Sequence, residues 1–577
     1  MEEINKLTYS PFSHRDKRCS ADLLPGMLTK FIFVSGGVIS GLGKGNTTAA
    51  IALLLQNRGY NVTPVKCENY LNIDAGLINP IEHGDPYLLE DGTEADMDMG
   101  TYEKFLGKNL NRHNFITMGQ IYKTVIDRER NFGYNGEDVE AIPHVTDEII
   151  KKIKEAGEKD KADIVVVELG GTAGEYQNML YYEASRILSH DKKNTVIHVH
   201  VSYLPTPTHL GEPKTKPTQL SVRTLNSMGI QPDFIVARAE KPVDERRRSR
   251  FALFCNVEPE NIINNIDVAC PYETPVLFAV QRFDEKILNM LNLPIQPLHL
   301  EKWKEMVEKT KKKNEKKITI AIVGKYFATG EYQLRDSYAA LLDAIDHASW
   351  SCGVITKTKW VQSEKLEKGS MEDLDDVDGI IVPIGWGPRG VEGKIKAIEY
   401  ARVHKIPYLG LCYGMQLAVV EYARHVLGLR DAHTTECDKN TKNPVIHMIS
   451  GQDAILKRRA YGGTMRLGRW ECKVKEKTIA DQSYSRFEGY DKPKERIVGE
   501  RHRHRYEFND AYQKQFEEKG LVISGRSVEE KLVEIVELPT TDHPFFIGTQ
   551  FHPEYRSRPL KPHPLFLSYI EACTKLK

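Results

Sequence analysis

Between residues 31 and 55 an apolar β-branched run, a glycine-rich loop and an apolar helix follow one another, and that order leaves few folds open. Phe31-Ile32-Phe33-Val34 reads as a buried parallel strand, Gly36 to Gly45 as the loop, and Thr47 to Leu55 as the first turns of a helix. The arrangement aims backbone N–H groups and a helix N-terminus at phosphate. Lys44 adds a point charge at the β- and γ-phosphates. The loop departs from the ordinary phosphate pattern twice: one residue too many precedes Gly43-Lys44, and Gly45 stands where a Ser or Thr hydroxyl usually holds Mg²⁺. A metal bound here must draw its ligands from carboxylates elsewhere.

From Lys30 to about Leu293 short apolar strands alternate with longer amphipathic stretches, which predicts a doubly wound parallel sheet. Asn61 to Val65, Ile164 to Val167, Val196 to Val201 and Phe234 to Ala237 are further strands. Ligands of such sheets sit beyond the carboxyl ends of the strands, where Lys44, Lys66 and Glu168 all fall. Trp303 to Lys317 is charge-dense, with Trp303, Met306 and Val307 at helical spacing, and reads as a linker helix running into a solvated basic turn. A second α/β pattern begins at Ile318 and continues through Ile380 to Pro383 and Ile406 to Leu409. The expected division is a tail over 1–27, a first α/β domain over 28–298, a linker over 299–317 and a second doubly wound α/β domain over 318–577.

A chain of 577 residues is too long for one ordinary core. Lys+Arg and Asp+Glu are both 80, so no global charge points to nucleic acid or an anionic membrane. Nine cysteines without a CxxC pair suit a reducing compartment and argue against zinc or a disulfide framework. No apolar run approaches the roughly 18 residues of a membrane span, and Met1 to Pro25 lacks the apolar core of a signal peptide. A cytoplasmic protein is expected.

In the second domain Gly410-Leu411-Cys412-Tyr413-Gly414 places a cysteine between two glycines, after a strand and before a helix. A turn this sharp strains the central residue and requires small neighbours two away. It sets Cys412 at a helix N-terminus, which favours the thiolate, and aims the Tyr413 N–H at a developing oxyanion. Taken alone this is a weak signal, because a free cysteine is more often a small buried hydrophobe. His552-Pro553-Glu554 supplies its partner: Glu554 can fix the tautomer of His552 while His552 takes the thiol proton.

At these residues the second domain resembles a class I glutamine amidotransferase, and the chain from about 28 to 570 resembles the CTP synthase family. The motifs that carry the resemblance are Ser35 to Gly45, Thr93 to Gly100, Glu168 to Thr172, Lys214-Thr215-Lys216-Pro217-Thr218-Gln219, Ala252 to Val257, Arg389 to Gly393, Gly462 to Gly468 and Glu500 to Glu507. The family phosphorylates the uracil O4 of UTP with ATP and displaces that phosphate with ammonia released from glutamine. The resemblance implies Cys412, His552 and Glu554 as the glutaminase triad, and Gly385, Tyr413, Gly414, Met415, Gln416, Glu436 and Arg503 as glutamine-binding positions. It implies ATP contacts at Gly41, Leu42, Gly43, Lys44, Gly45, Asn46, Lys66, Asp98 and Asp267, and Mg²⁺ ligands at Asp98 and Glu168. The implied UTP and CTP positions are Ser40, Glu175, Tyr176, Gln177, Lys214 to Gln219 and Arg250. GTP activation, CTP inhibition, a homotetramer and filaments are further family traits.

The chain departs from the family pattern at three places. Ile384-Gly385-Trp386 replaces a double glycine before the aromatic of the oxyanion loop, where two glycines leave the backbone freer to present an N–H. Glu175-Tyr176-Gln177 replaces Asp-Ile-Glu at the feedback pocket, and Thr101 replaces a frequent His. Glu94 and Asp96 read as surface charge, and Asn46 stands without an explanation where relatives place an apolar residue. Two alternatives are a different glutamine-dependent, ATP-activating amidoligase and a filament-forming member with an impaired glutaminase.

Overall fold

The computed structural model describes residues 29–79, 84–191, 193–209, 211–312, 315–325, 328–329, 332–333 and 338–575. The expected tail over 1–27 lies outside the described residues. The first domain is built on seven parallel strands: β1 (Lys30–Gly37), β2 (Val62–Glu68), β3 (Phe115–Thr117), β4 (Ile164–Leu169), β5 (Thr195–Tyr203), β6 (Phe234–Ala239) and β7 (Ile262–Ile266). They lie in the order β3-β2-β4-β1-β5-β6-β7. Strand alternation sends Ile32 and Val34 into one core layer and Phe31 and Phe33 into the other, so β1 is buried on both faces. Helix α1 (Lys44–Asn57) leaves the carboxyl end of β1, and helix α2 (Met97–Leu106) packs against it. The glycines at 36 and 37 belong to β1 rather than to the loop: an added Cβ at Gly37 would lie 1.7 Å from Ser221 Oγ.

The helix Glu301–Thr310 keeps Trp303, Met306 and Val307 buried, as their spacing predicts. Trp303 Nε1 donates to Tyr272 O at 2.8 Å, so this helix is part of the first domain's core and the covalent connector is shorter than the charge run suggests.

Among the described residues the main sheet of the second domain has nine strands: β8 (Lys316–Gly324), β9 (Val354–Gln362), β10 (Gly379–Val382), β11 (Tyr408–Leu411), β12 (Arg466–Val474), β13 (Ile497–His504), β14 (Val522–Ser527), β15 (Val533–Glu537) and β16 (Phe546–Thr549). Their order is β9-β8-β10-β11-β16-β15-β14-β12-β13. The half from β9 to β16 is parallel, and an antiparallel half continues from β16 to β13.

The domains meet along β13, where alternate side chains take opposite directions. Arg501 Nη1 donates to Glu103 Oε2 at 2.8 Å, Arg558 Nη2 to the same oxygen at 2.7 Å, and Tyr87 OH to it at 2.8 Å. Arg501 and Glu103 are fully buried. The two guanidinium groups outweigh the desolvation of Glu103 and hold its carboxyl below the usual range.

Candidate active sites

At the carboxyl ends of β2 and β4 the parallel register sets Lys66 directly beside Glu168. Lys66 Nζ donates to Glu168 Oε1 at 2.7 Å and to Asp98, and lies 3.1 Å from Glu68 Oε1. Burial works against this ammonium, but Asp98, Glu168 and Glu68 outweigh it and hold its pKa well above the ordinary lysine value. Tyr102 OH donates to the other oxygen of Glu168. The loop before α1 turns through left-handed backbone at Val38, Gly41 and Gly43, with φ of 85°, 71° and 81°. For the β-branched Val38 that conformation is strained, as is common where a loop is shaped around a ligand. Lys44 Nζ donates to Gly171 O at 2.8 Å, and burial lowers its pKa.

The carboxylates around this point offer only oxygen donors, which suits a hard cation. Oxygens of Glu68, Asp96 and Asp98 lie within 4.8 Å of one another. Asp98 and Glu168, the pair expected to hold Mg²⁺, both contact the Lys66 ammonium, so the structure adds Glu68 and Asp96 to the donor set around Asp98. Burial, with Glu68 and Asp98 nearby, raises Asp96 to about 7. The surface-charge reading of Asp96 is thereby corrected: it is half-buried and its Oδ1 caps α2 by accepting from Asp98 N at 3.0 Å. Asn46 ties the loop to the next layer, its Nδ2 donating to Thr274 Oγ1 at 2.7 Å. Asp267, at the end of β7, pairs with Arg238 at 3.0 Å and is more than half exposed.

The remaining positions expected to meet nucleotide differ in burial. Thr215, Thr218 and Gln219 are buried at the start of helix α3 (Lys216–Ser227), with Gln219 Nε2 on Thr215 Oγ1 at 3.1 Å and Ser202 Oγ on Thr218 Oγ1 at 2.9 Å. Lys216 and Ser40 are exposed, Pro217 is half-buried and Lys214 pairs with Glu212. Glu175 accepts from Thr172 N at 2.8 Å, whereas Tyr176, Gln177 and Arg250 are exposed to solvent. Among these, Tyr176 is 93% exposed.

In the second domain Cys412 follows β11 at φ 50°, ψ −96° and caps helix α4 (Tyr413–His425). The small neighbours are obligatory: a Cβ at Gly414 would lie 2.0 Å from Val382 O, and one at Gly410 2.6 Å from Tyr408 OH. His552 Nδ1 and Glu554 Oε1 are 2.8 Å apart. Burial would lower His552, but Glu554 and Cys412 raise it to about 10, so an imidazolium is favoured beside the sulfur. Gln550 Nε2 donates to Cys412 Sγ at 3.4 Å, a contact that sequence reasoning misses although Gln550 lies two residues before His552.

Around the thiol, Tyr413, Gly414, Met415 and Gln416 are buried, and Gln416 Nε2 donates to Tyr506 O at 3.0 Å. Gly387 N donates to Glu436 Oε1 at 2.7 Å, and burial raises the Glu436 carboxyl. Gly385 leaves room for two lysine side chains, since a Cβ there would lie 3.0 Å from both Lys325 Cε and Lys394 Nζ. Ile384 is absorbed by the core beside Ile381 and Leu411. Its φ is not positive, so the loop adopts this course without a second glycine. Arg503 is buried over the Trp386 ring at 5.3 Å. Its Nε donates to Glu94 Oε1 at 2.6 Å, which corrects the surface-charge reading of Glu94: that side chain is 2% exposed.

At the seam of the two domains lies a cavity of about 50 Å³, lined among others by Met97, Thr101, Tyr338, Ile384, Glu554 and Tyr555. One wall is α2, which carries Asp98, and another is the triad carboxylate.

Residues 30–293 match the family described as CTP synthase N-terminus, and residues 333–572 match glutamine amidotransferase class-I. The CTP synthase of Caldanaerobacter subterraneus subsp. tengcongensis is 46% identical over 95% of this chain and 99% of its own length. The chain belongs to the CTP synthase family. The CTP synthase of Thermococcus gammatolerans is 45% identical over the same 95% of this chain and 99% of its own length. A solved glutaminase domain of Trypanosoma brucei CTPS with bound acivicin is 35% identical, covers 45% of this chain and 94% of its own, and has a TM-score of 0.39. The CTP synthase module and the glutaminase module thus share one chain, and among the described residues no helix is long and apolar enough to cross a membrane.

Proposed function

We propose that this chain is a glutamine-hydrolysing CTP synthase that aminates UTP at the expense of ATP. The observation that carries the reading is that one chain holds both the lysine–carboxylate centre and the Cys412-His552-Glu554 centre, with a seam cavity that touches Glu554 and the helix of Asp98. A ring oxygen is a poor leaving group, so phosphoryl transfer must precede amination. Lys44 and Lys66 neutralise charge on the transferring group, and positioning plus electrostatics supply most of such catalysis. Asp98 with Glu168, Glu68 or Asp96 would hold Mg²⁺, which would supply further charge neutralisation for the ATP phosphates. Ser40 and Lys214 to Gln219 serve UTP, with Lys214 and Lys216 on the triphosphate and Arg250 at the rim. Gly41 to Asn46 serve the ATP phosphates, and Asp267 the adenosine end.

Cys412 attacks the glutamine amide carbon, His552 protonates the departing ammonia, and water later releases glutamate from the thioester. The α-carboxylate of glutamine takes the Arg503 fork, with Gly385, Gln416 and Glu436 lining the pocket. Ammonia then crosses the cavity, which has room for a molecule about the size of water. GTP activation, CTP feedback at Glu175 to Gln177 and tetramer or filament assembly belong to the same reading. The test is CTP formation from UTP, ATP and glutamine, with and without GTP, followed by titration with CTP. Absence of CTP under all of these conditions overturns it.

A further inference from the structure

The hairpin Tyr87–Leu88/Glu94–Ala95 belongs to the first domain but lies across β12 and β13 of the second. Its seat is built into the chain: Arg469 N donates to Glu90 O at 2.8 Å, and a Cβ at Gly468 would lie 2.7 Å from both Glu90 O and Gly92 N. Gly468 therefore closes its glycine-rich motif at the point where the other domain's backbone comes into contact. Leu88 O accepts from Arg501 Nη1 at 2.8 Å, and Glu94, the cross-strand partner of Leu88, takes Arg503.

Arg503 has one strong bond, from Nε to Glu94. Nη1 makes no hydrogen bond and is held only by a looser ion pair with Asp85 Oδ1 at 3.5 Å. The backbone oxygen of the same residue lies 3.8 Å from Cys412 Sγ. A guanidinium gripped at Nε keeps its terminal fork for a second carboxylate, and that fork works only if its plane is fixed. Glu94 itself is fixed: Ala75 N donates to its carbonyl at 2.8 Å, and its Oε2 lies against Gly76, where a Cβ would come within 2.2 Å.

We infer that Glu94 of the first domain is the positioning residue for glutamine recognition in the second. It orients Arg503 so that the terminal edge meets the α-carboxylate, and the glutaminase pocket is complete only with the hairpin seated. This rests on the reading of Arg503 as the carboxylate ligand.

The test uses the full chain with Glu94→Ala, Glu94→Gln and Arg503→Gln, each compared by thermal melting with the parent. Glu94→Ala is expected to raise the KM for glutamine roughly 10- to 100-fold while the ammonia-dependent rate stays unchanged. Glu94→Gln, which keeps an acceptor for Nε, recovers part of that loss. Alkylation of Cys412 by iodoacetamide, which has no carboxylate, should proceed at the parent rate in Glu94→Ala. Equal losses with ammonia and glutamine, or slowed alkylation, overturn the inference. If Arg503→Gln leaves the glutamine KM unmoved, the reading of Arg503 fails. If Arg503→Gln raises it and neither Glu94 variant does, only the role of Glu94 fails.

Discussion

Asp98 lies so close to Gly45 that a β-carbon on residue 45 would come within 2.0 Å of Oδ1. The hydroxyl-bearing side chain that most phosphate loops carry at this point is excluded by that carboxylate. Gly45→Ser should push Asp98 away from Lys66 and lower CTP formation with glutamine and with ammonia alike, on the order of 100-fold. Steady-state rates with both donors check this, and a loss confined to glutamine would refute it.

Cys412→Ala is expected to abolish CTP formation from glutamine and to keep formation from added ammonia. Lys44→Ala should lose both, because phosphorylation precedes amination. Ammonia-dependent turnover in the lysine variant would remove the loop from the reaction.

The ion pair of His552 with Glu554 has a pH signature. With the folded-state pKa raised from 6.5 to about 10, its contribution to stability is fully present below pH 6.5 and is lost as pH rises towards about 10. Thermal midpoints of the parent should therefore fall more steeply between these values than those of His552→Gln. Parallel slopes would contradict the pairing.

Glu103→Gln leaves Arg501 and Arg558 buried against a neutral partner. Removing one member of such a group costs roughly 3–5 kcal/mol, so the melting temperature should drop clearly. Glu103→Met combined with Arg501→Met and Arg558→Met, which strands no charge, should be milder than Glu103→Gln alone, and the comparison of melts decides it.

The first sheet was legible because its strands are buried on both faces and read as apolar runs, Ile164 to Val167 among them. The elbow was legible for a steric reason, since Gly410 and Gly414 each meet backbone or a ring hydroxyl. The antiparallel half of the second sheet was not, because β13 is wholly buried yet reads Glu500-Arg501-His502-Arg503-His504. Its pattern is a strand all the same: Arg501 and Arg503 face the first domain's carboxylates, while His502 and His504 gather around Arg466. Glu94 read as surface charge for the matching reason, since its partner lies 409 positions away. Asn46 needed Thr274, a residue of another layer, to make sense.

Glu103 also determines how the two halves can move. Sliding one domain past the other would strip a buried carboxylate of Arg501 and Arg558 inside a closed interface, at a cost of several kcal/mol. Rotation about that carboxylate would keep both bonds but would break those of Arg469 N to Glu90 O and of Arg503 to Glu94. The seam is thus fastened at several points along its length, and neither sliding nor turning comes at the cost of one bond alone.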